Sequence, residues 1–115
     1  MFYQNMPLYL QLIELLKIEY AYVHNLPKEY KYSLGSDVTI ITWKLIDLFI
    51  EIQTISRKAE EKRLKIEELA VEFDKLKLRI RFLSEIKLIS LHQVSHLNKL
   101  LVEIGKMIGS WQKHV

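Results

Sequence analysis

The chain has 115 residues, of which 50% are apolar and 27% are charged, and it contains three glycines, two prolines and no cysteine. Without cysteine, neither a disulfide nor a thiolate metal site can hold the fold, and this length predicts one domain over residues 1–115. The N-terminal segment lacks the basic region and apolar run of a signal peptide, and no segment approaches the ~20 apolar residues of a membrane span. We therefore expect a cytoplasmic protein without a membrane partner, built from long amphipathic helices.

Charge is divided unevenly along the chain. Residues 1–74 carry 9 Lys and Arg against 12 Asp and Glu, a balance of −3, whereas residues 75–115 carry 8 against 2, a balance of +6. This division predicts one positive surface, which could meet nucleic acid or an acidic partner. A solvated basic face without any ligand is the alternative that charge alone leaves open.

The first two helices are predicted from apolar spacing and from the residues that interrupt it. The first runs over about residues 7–25, with an apolar stripe typical of a packed helix. Pro27, Gly35 and a cluster of polar residues then break the pattern. The second helix begins between residues 33 and 37, ends near Ser56, and has a core stripe of Val38, Ile41, Leu45, Leu48, Phe49 and Ile52.

This second helix is predicted to be apolar on more than one side. A further set of large apolar residues lies away from the core stripe: Ile40, Trp43, Ile46 and Ile50. A solitary bundle needs only one apolar stripe on each helix, and surplus exposed apolar surface usually marks a partner. We therefore expect a homo-oligomer.

The remaining helices complete an all-α fold. The charged stretch 57–65 joins the second helix to a third and is either a turn or a solvated helical extension. The third helix ends near Lys87. Ser90 is a plausible N-cap for a fourth helix. The core positions of these two helices are predicted to be Leu69, Phe73, Leu76, Ile80, Leu83, Val94, Leu97, Leu101, Ile104 and Ile108. Four helices of about 20 residues with short connections predict an up-down-up-down four-helix bundle.

The predicted binding residues are cations of the third and fourth helices. Helical geometry places Lys75 and Arg79 on one flank of the third helix's core stripe, and Lys77 and Arg81 on the other. On the fourth helix a ridge repeats every seven residues, formed by Lys99, Lys106 and Lys113. Together they could follow a nucleic-acid backbone by charge and shape. The alternative is that their long side chains only cover the edges of the apolar stripes.

Two glycines interrupt the fourth helix although each costs about 1 kcal/mol relative to alanine in a helix interior. Gly105 and Gly109 lie on one side of this helix, next to its core stripe. Their spacing predicts a close contact with another helix, anchored by Trp111. The neighbour could be the first helix of the same chain or a helix of another subunit.

No motif of the sequence predicts catalysis. His92 and His96 have a spacing that can serve one metal ion, but no Glu-x-x-His pair supplies further ligands for a site in a bundle. We interpret them as surface histidines. We expect no metal, no cofactor and no enzymatic activity.

Three segments together resemble the accessory variability determinant (Avd) proteins of diversity-generating retroelements. They are "LPKEYKYSLGSDV" (26–38), "LKLRIRFLSEIKLIS" (76–90) and "HQVSHLNKLLVEIGKMIGSW" (92–111). The last is the most distinctive, because it ends in an Ile-Gly-basic-apolar-apolar-Gly-small-Trp signature. The first two are also similar to a sister group, the proteins encoded in intervening sequences of 23S ribosomal RNA genes.

The resemblance implies a non-enzymatic homopentamer of four-helix bundles. It also implies binding to an error-prone reverse transcriptase and to structured RNA, in support of mutagenic copying, and it leaves DNA binding open. Carried over by position, Arg79, Arg81 and Lys87 belong to the family's basic surface, and Lys106 is the basic residue between the two glycines. The alternative from the sister group is a structural oligomer without a reverse transcriptase partner.

Overall fold

The structure is a computed structural model that describes residues 2–55 and 59–114. In these ranges it is all-helical, without strands. A short 3₁₀ turn at Phe2–Asn5 precedes four long helices, which we number in chain order: α1 (Pro7–His24), α2 (Ser36–Thr54), α3 (Ala59–Glu85) and α4 (Leu91–Lys113).

The four helices form a bundle in which each helix packs against its neighbours in the sequence. The α1–α2, α2–α3 and α3–α4 pairs are in contact, and an α1–α4 contact closes the square. The molecule measures 46 × 23 × 22 Å. Its core contains large side chains from every helix, and the most deeply buried of the apolar ones are Leu12, Leu15, Leu45, Phe49, Ile52, Ile66, Leu69, Leu76 and Ile104.

The core stripes predicted for α2 and α3 are buried throughout, and that of α4 is buried apart from the half-buried Val94. The prediction of a second apolar face on α2 is wrong at two positions. Ile46 is 3% exposed and belongs to the core, and Ile50 is half-buried against it. Only Ile40 and Trp43 are exposed, at 62% and 45%. The core spans a wide arc of α2 because α1 and α3 pack on two sides of it.

The break predicted between the first two helices is shorter than expected. A helical turn at Lys28–Tyr30 leads into a π turn at Lys31–Gly35, which continues directly into α2. Gly35 is needed here for space. A Cβ atom at this position would lie 2.9 Å from Val23 Cγ1 and 3.0 Å from Leu26 Cδ1. The end of α1 therefore packs against the backbone that begins α2.

A buried polar pair joins α1 to α2. Glu19 is 2% exposed and Thr42 is fully buried. Thr42 Oγ1 lies 2.8 Å from Glu19 Oε2 and 3.2 Å from the Val38 carbonyl oxygen. A hydroxyl has one proton and can donate to only one of these oxygens, so both contacts are satisfied together when Glu19 carries its own proton. Burial raises the pKa of Glu19 to about 8, against the lowering effect of the Thr42 hydrogen bond.

The charged stretch before α3 is largely helical. α3 begins at Ala59, so residues 59–65 are its first turns, and residues 56–58 lie outside the described part of the chain. Arg63 contributes to these turns by pairing with Glu60 and Glu67 one helical turn away on either side. Such pairs each stabilise a helix by a few tenths of a kcal/mol, which explains how a highly charged segment remains helical.

The turn between α3 and α4 has capping motifs on both sides. The backbone N–H of Leu88 donates to the Leu83 carbonyl oxygen at 2.9 Å, and that of Lys87 donates to the Ser84 carbonyl oxygen at 3.0 Å. These two hydrogen bonds form a Schellman motif at the end of α3. Lys87 has a φ of 62°, a conformation that usually favours glycine. Ser90 then caps α4 as predicted, in a capping box with Gln93.

Candidate nucleic-acid and protein interface

The structure separates the cations of α3 into two groups, as the helical spacing predicts. Lys77 and Arg81 line a groove whose other wall is α4. Lys75 lies on the opposite flank, towards α2, where its Nζ is 3.0 Å from Glu72 Oε1. Arg79 donates to the Lys75 carbonyl oxygen at 3.2 Å. The α3 cations therefore serve two different surfaces of the protein.

The pair on the α2 flank is tied into the bundle. Glu72 is 7% exposed, and its Oε1 accepts hydrogen bonds from Lys75 and from Lys44 of α2. Burial alone would raise the pKa of Glu72, but the hydrogen bonds and charges of the two ammonium groups outweigh it and lower the pKa below its ordinary value. Lys75 therefore has a role in joining two helices of the chain.

The groove between α3 and α4 has a volume of about 620 Å³. Lys77 and Arg81 line it from α3, and Asn98 and Val102 line it from α4. The last two also line the neighbouring depression on α4 that reaches Lys99. Lys77, Arg81 and the start of the lysine ridge on α4 are thus parts of one continuous surface, which we call the basic groove.

The remaining predicted cations are exposed and differ in their surroundings. Lys87 is exposed in the α3–α4 turn, and Lys113 is exposed in the last turn of α4. Lys106 is exposed with its Nζ 3.7 Å from Glu103 Oε1. Exposed ion pairs of this kind are worth little and are screened by salt, so Lys106 can exchange its acid for a phosphate at small cost.

The cations of the basic groove also have acidic neighbours in the chain. Lys77 Nζ lies 3.1 Å from Asp74 and 5.0 Å from the centre of the Phe73 ring, and Arg81 Nε lies 4.0 Å from Glu85. All these charged groups are exposed or partly exposed, so the pairs are weak. The groove is positive on balance, and its floor is apolar where Phe73 and Leu101 line it.

The two glycines of α4 differ in their surroundings. A Cβ atom at Gly105 would lie 3.3 Å from Phe73 Cε2, so its close neighbour is a side chain of α3. The predicted option of a contact between Gly105 and the first helix is therefore wrong. Gly109 has no atom within 4 Å of its Cβ position among the described residues. A contact of Gly109 with another subunit stays a prediction.

Trp111 anchors α4 to the bundle as predicted, but it contacts α2, whereas Gly105 faces α3. Its ring stacks on Phe49 of α2 with the centroids 5.6 Å apart and an interplanar angle of 25°. Phe49 in turn lies 6.0 Å from the Tyr9 ring of α1. Three aromatic rings from three helices thus close this end of the core.

Sequence reasoning missed an exposed apolar line on α3. Its large side chains are 40–60% exposed and lie on the face opposite to the core stripe: Leu64, Val71, Leu78, Phe82 and, at the helix end, Ile86. The signal was present as a second spacing of three and four residues, but the charged residues between these positions concealed it. Exposed apolar surface is therefore larger on α3 than on α2, where we expected it.

The two histidines of α4 lie at the surface. His96 Nδ1 is 2.9 Å from the Tyr22 hydroxyl of α1, and His92 is exposed in the first turn of α4. Among the described residues, no cluster of three or more His, Cys, Asp or Glu side chains could hold a metal ion.

Within the same residues, no helix combines the length and the hydropathy that crossing a lipid bilayer requires.

The features described define a class of small all-helical proteins with a basic groove and an apolar outer face. A comparison with individually characterised proteins gives no significant match. The model of the bAvd-like family matches residues 8–115. The chain therefore belongs to the bAvd-like family, in agreement with the resemblance to Avd accessory proteins.

Proposed function

We propose that this protein is the accessory factor of a diversity-generating retroelement, and that it binds structured RNA through the basic groove. The observation that carries the proposal is the continuity of this groove, in which Lys77 and Arg81 of α3 join the surface that reaches Lys99 of α4. Three cations from two helices, set along one open surface, supply the positive charge that a phosphate backbone attracts. No base-reading motif accompanies them, so recognition rests on backbone charge and RNA shape.

The same proposal includes a reverse transcriptase as protein partner and a homopentamer as the working form, acting in the cytoplasm. Family membership supports the accessory role, since Avd-type proteins assist an enzyme that copies RNA. The exposed apolar residues of α2 and α3 support protein contacts in addition to RNA contacts. RNA, in this proposal, bridges the pentamer and the polymerase.

The experiment that tests RNA binding removes two groove cations and measures affinity against salt. The double variant Lys77→Gln/Arg81→Gln should bind a structured RNA more weakly, and the slope of log affinity against log salt should fall by about 1.4–1.8 because two phosphate contacts are lost. The matched control is Lys17→Gln/Lys28→Gln, which removes the same charge from exposed positions away from the groove.

The control should retain the salt slope of the parent protein. Equal losses in both double variants would mean that net charge, and not the groove, determines RNA affinity. An affinity that does not depend on salt would overturn RNA binding through phosphates altogether. The partner part is tested separately: we expect a reverse transcriptase gene beside the gene of this protein, and we expect the two products to co-purify.

A further inference from the structure

The outer face of α3 carries a second seam of contact positions in addition to the core stripe. Two charged residues lie between the exposed apolar residues of α3 at the same helical spacing. Together with them they form a line in which steps of four and three residues alternate up to Phe82. We call this line the outer seam; its members are Leu64, Glu68, Val71, Lys75, Leu78, Phe82 and Ile86. Alternating steps of three and four are the spacing by which one helix packs along another.

The outer seam is accessible along its whole length. Its apolar side chains are 40–60% exposed, and the side chains of Glu68 and Lys75 are 44% and 50% exposed. From Leu64 to Ile86 the seam extends over roughly 33 Å at 1.5 Å per residue. Five large apolar side chains on one exposed line make a surface that soluble helices seldom leave uncovered.

The charges of α3 are segregated along its axis. Residues 59–72 carry five acids against three bases, a balance of −2, whereas residues 73–85 carry four bases against two acids, a balance of +2. Two copies of such a helix repel each other when they lie parallel and in register. They attract each other when they lie antiparallel, because the acidic half of one then faces the basic half of the other.

The positions of the seam residues fit the antiparallel arrangement. When Val71 is placed opposite its own copy, Leu64 lies at the level of Leu78 in the second copy. Glu68 then lies within one residue, about 1.5 Å, of the level of Lys75. Leu64, Val71 and Leu78 then meet apolar positions, and the two charged positions meet each other twice across the axis. Phe82 lies at the level of Glu60 in the second copy.

We infer that the outer seam of α3 is a two-fold contact between two copies of this chain, with the helices antiparallel and the axis near Val71. This inference goes beyond the proposed function, because it does not depend on RNA or on the polymerase. A two-fold contact is isologous and cannot itself generate a five-membered ring. With the proposed pentamer it joins two rings, and the native assembly contains an even number of chains.

The first experiment uses the lack of cysteine in the natural chain. The variant Val71→Cys places a single thiol next to the axis, so mild oxidation of the dilute protein should give covalent dimers. Leu10→Cys is the matched control, because Leu10 is 51% exposed on α1 and Val71 is 53% exposed on α3. Failure of Val71→Cys to cross-link more readily than Leu10→Cys would overturn the inference.

The second experiment tests the charge pairing by native mass. Glu68→Lys places like charges opposite each other and should weaken the two-fold association at least tenfold, which would halve the native mass at working concentration. Adding Lys75→Glu to that variant reverses both charges and should restore the parent mass. Circular dichroism melting of each variant separates loss of association from loss of folding, since Lys75 also pairs with Glu72 in the chain.

The two experiments keep the inference separate from the proposed function. A five-chain assembly whose mass is unchanged by Glu68→Lys would overturn the two-fold contact and leave the pentamer intact. If the seam variants instead lost the reverse transcriptase at unchanged native mass, the seam would belong to that partner and the inference would be wrong.

Discussion

The α1–α2 side and the α3–α4 side of the bundle contrast in how closely they are packed. At the start of α2, a Cβ atom on Gly35 would lie 2.9 Å from Val23. Between α3 and α4, by contrast, an open groove has a volume of about 620 Å³, and the Cβ position of Gly109 has no described atom within 4 Å. Packing within the chain explains the glycine on the first side. The α3–α4 side is open, and there the chain offers surface to other molecules.

The largest expected effect tests the polar pair buried on the α1–α2 side. Burial raises the pKa of Glu19 from its ordinary 4.5 to about 8, so between these pH values the folded state binds a proton that the unfolded state has released. The free energy of unfolding should therefore fall as pH rises through this window, by up to about 1.4 kcal/mol per pH unit. Urea denaturation at several pH values measures this slope.

Glu19→Gln is the matched variant for this measurement, because it keeps the shape of the protonated acid and cannot ionise. Its stability should change less steeply over the same pH range and should exceed that of the parent protein near pH 8. Parallel pH profiles for the two proteins would show that Glu19 is not buried as a neutral acid.

The next effect in size tests the close packing at the α1–α2 junction. Gly35→Ala should lower the free energy of unfolding by about 1–3 kcal/mol, because the added methyl group overpacks a site bounded by Val23, Leu26 and the Tyr30 carbonyl oxygen. Two of these neighbours are side chains and the third is backbone, so relaxation is limited. Urea denaturation gives the value, and an Ala variant as stable as the parent would mean that the junction is loosely packed.

On the α3–α4 side, replacing Lys87 by glycine should raise the free energy of unfolding by about 1 kcal/mol. A left-handed conformation costs a residue with a Cβ about 1–2 kcal/mol, and glycine removes this cost. The net gain is smaller, because glycine also raises the conformational entropy of the unfolded chain. Lys87→Ala is the control, because it removes the charge and keeps the Cβ. If both variants changed stability equally, the charge rather than the φ of 62° would be responsible.

The smallest effect concerns the glycine with open surroundings. Gly109→Ala should raise the free energy of unfolding by about 0.5–1 kcal/mol, since alanine favours the helix and the added Cβ meets no described atom within 4 Å. Thermal denaturation combined with native mass checks this. A variant that is less stable or has a smaller native mass would place Gly109 in a contact with another chain.

Periodicity predicted most of the fold. The core stripes of α2, α3 and α4 repeat at helical spacing, and the N-cap at Ser90 follows from a short local motif, so these features were accessible without coordinates. The packing of Ile46 and the π turn at Lys31–Gly35 were not, because both depend on how neighbouring helices pack on α2. The burial of Glu19 was missed for the same reason, because its hydrogen-bond partner Thr42 lies on another helix.

The candidate site was predicted less completely. Helical spacing correctly divided the α3 cations between two flanks. It could not show that Lys75 forms an ion pair with Glu72, which also pairs with Lys44 of α2. The sequence led to one expectation for both glycines of α4, but their surroundings differ. A Cβ atom at Gly105 would lie against Phe73, whereas one at Gly109 would meet no described atom beyond its own helix within 4 Å. Contacts between distant parts of the chain decide such details, and spacing within one helix does not contain them.

The ion pairs of α3 have a consequence for the order of folding. Six pairs join residues one turn apart within this helix, among them Arg63 with Glu60 and Lys77 with Asp74. Each pair is local, and the acids Glu60 and Glu61 in the first turn also suit the helix dipole. We expect α3 to become helical before the other helices dock on it, and a peptide of residues 59–85 at low concentration to show helical circular dichroism by itself.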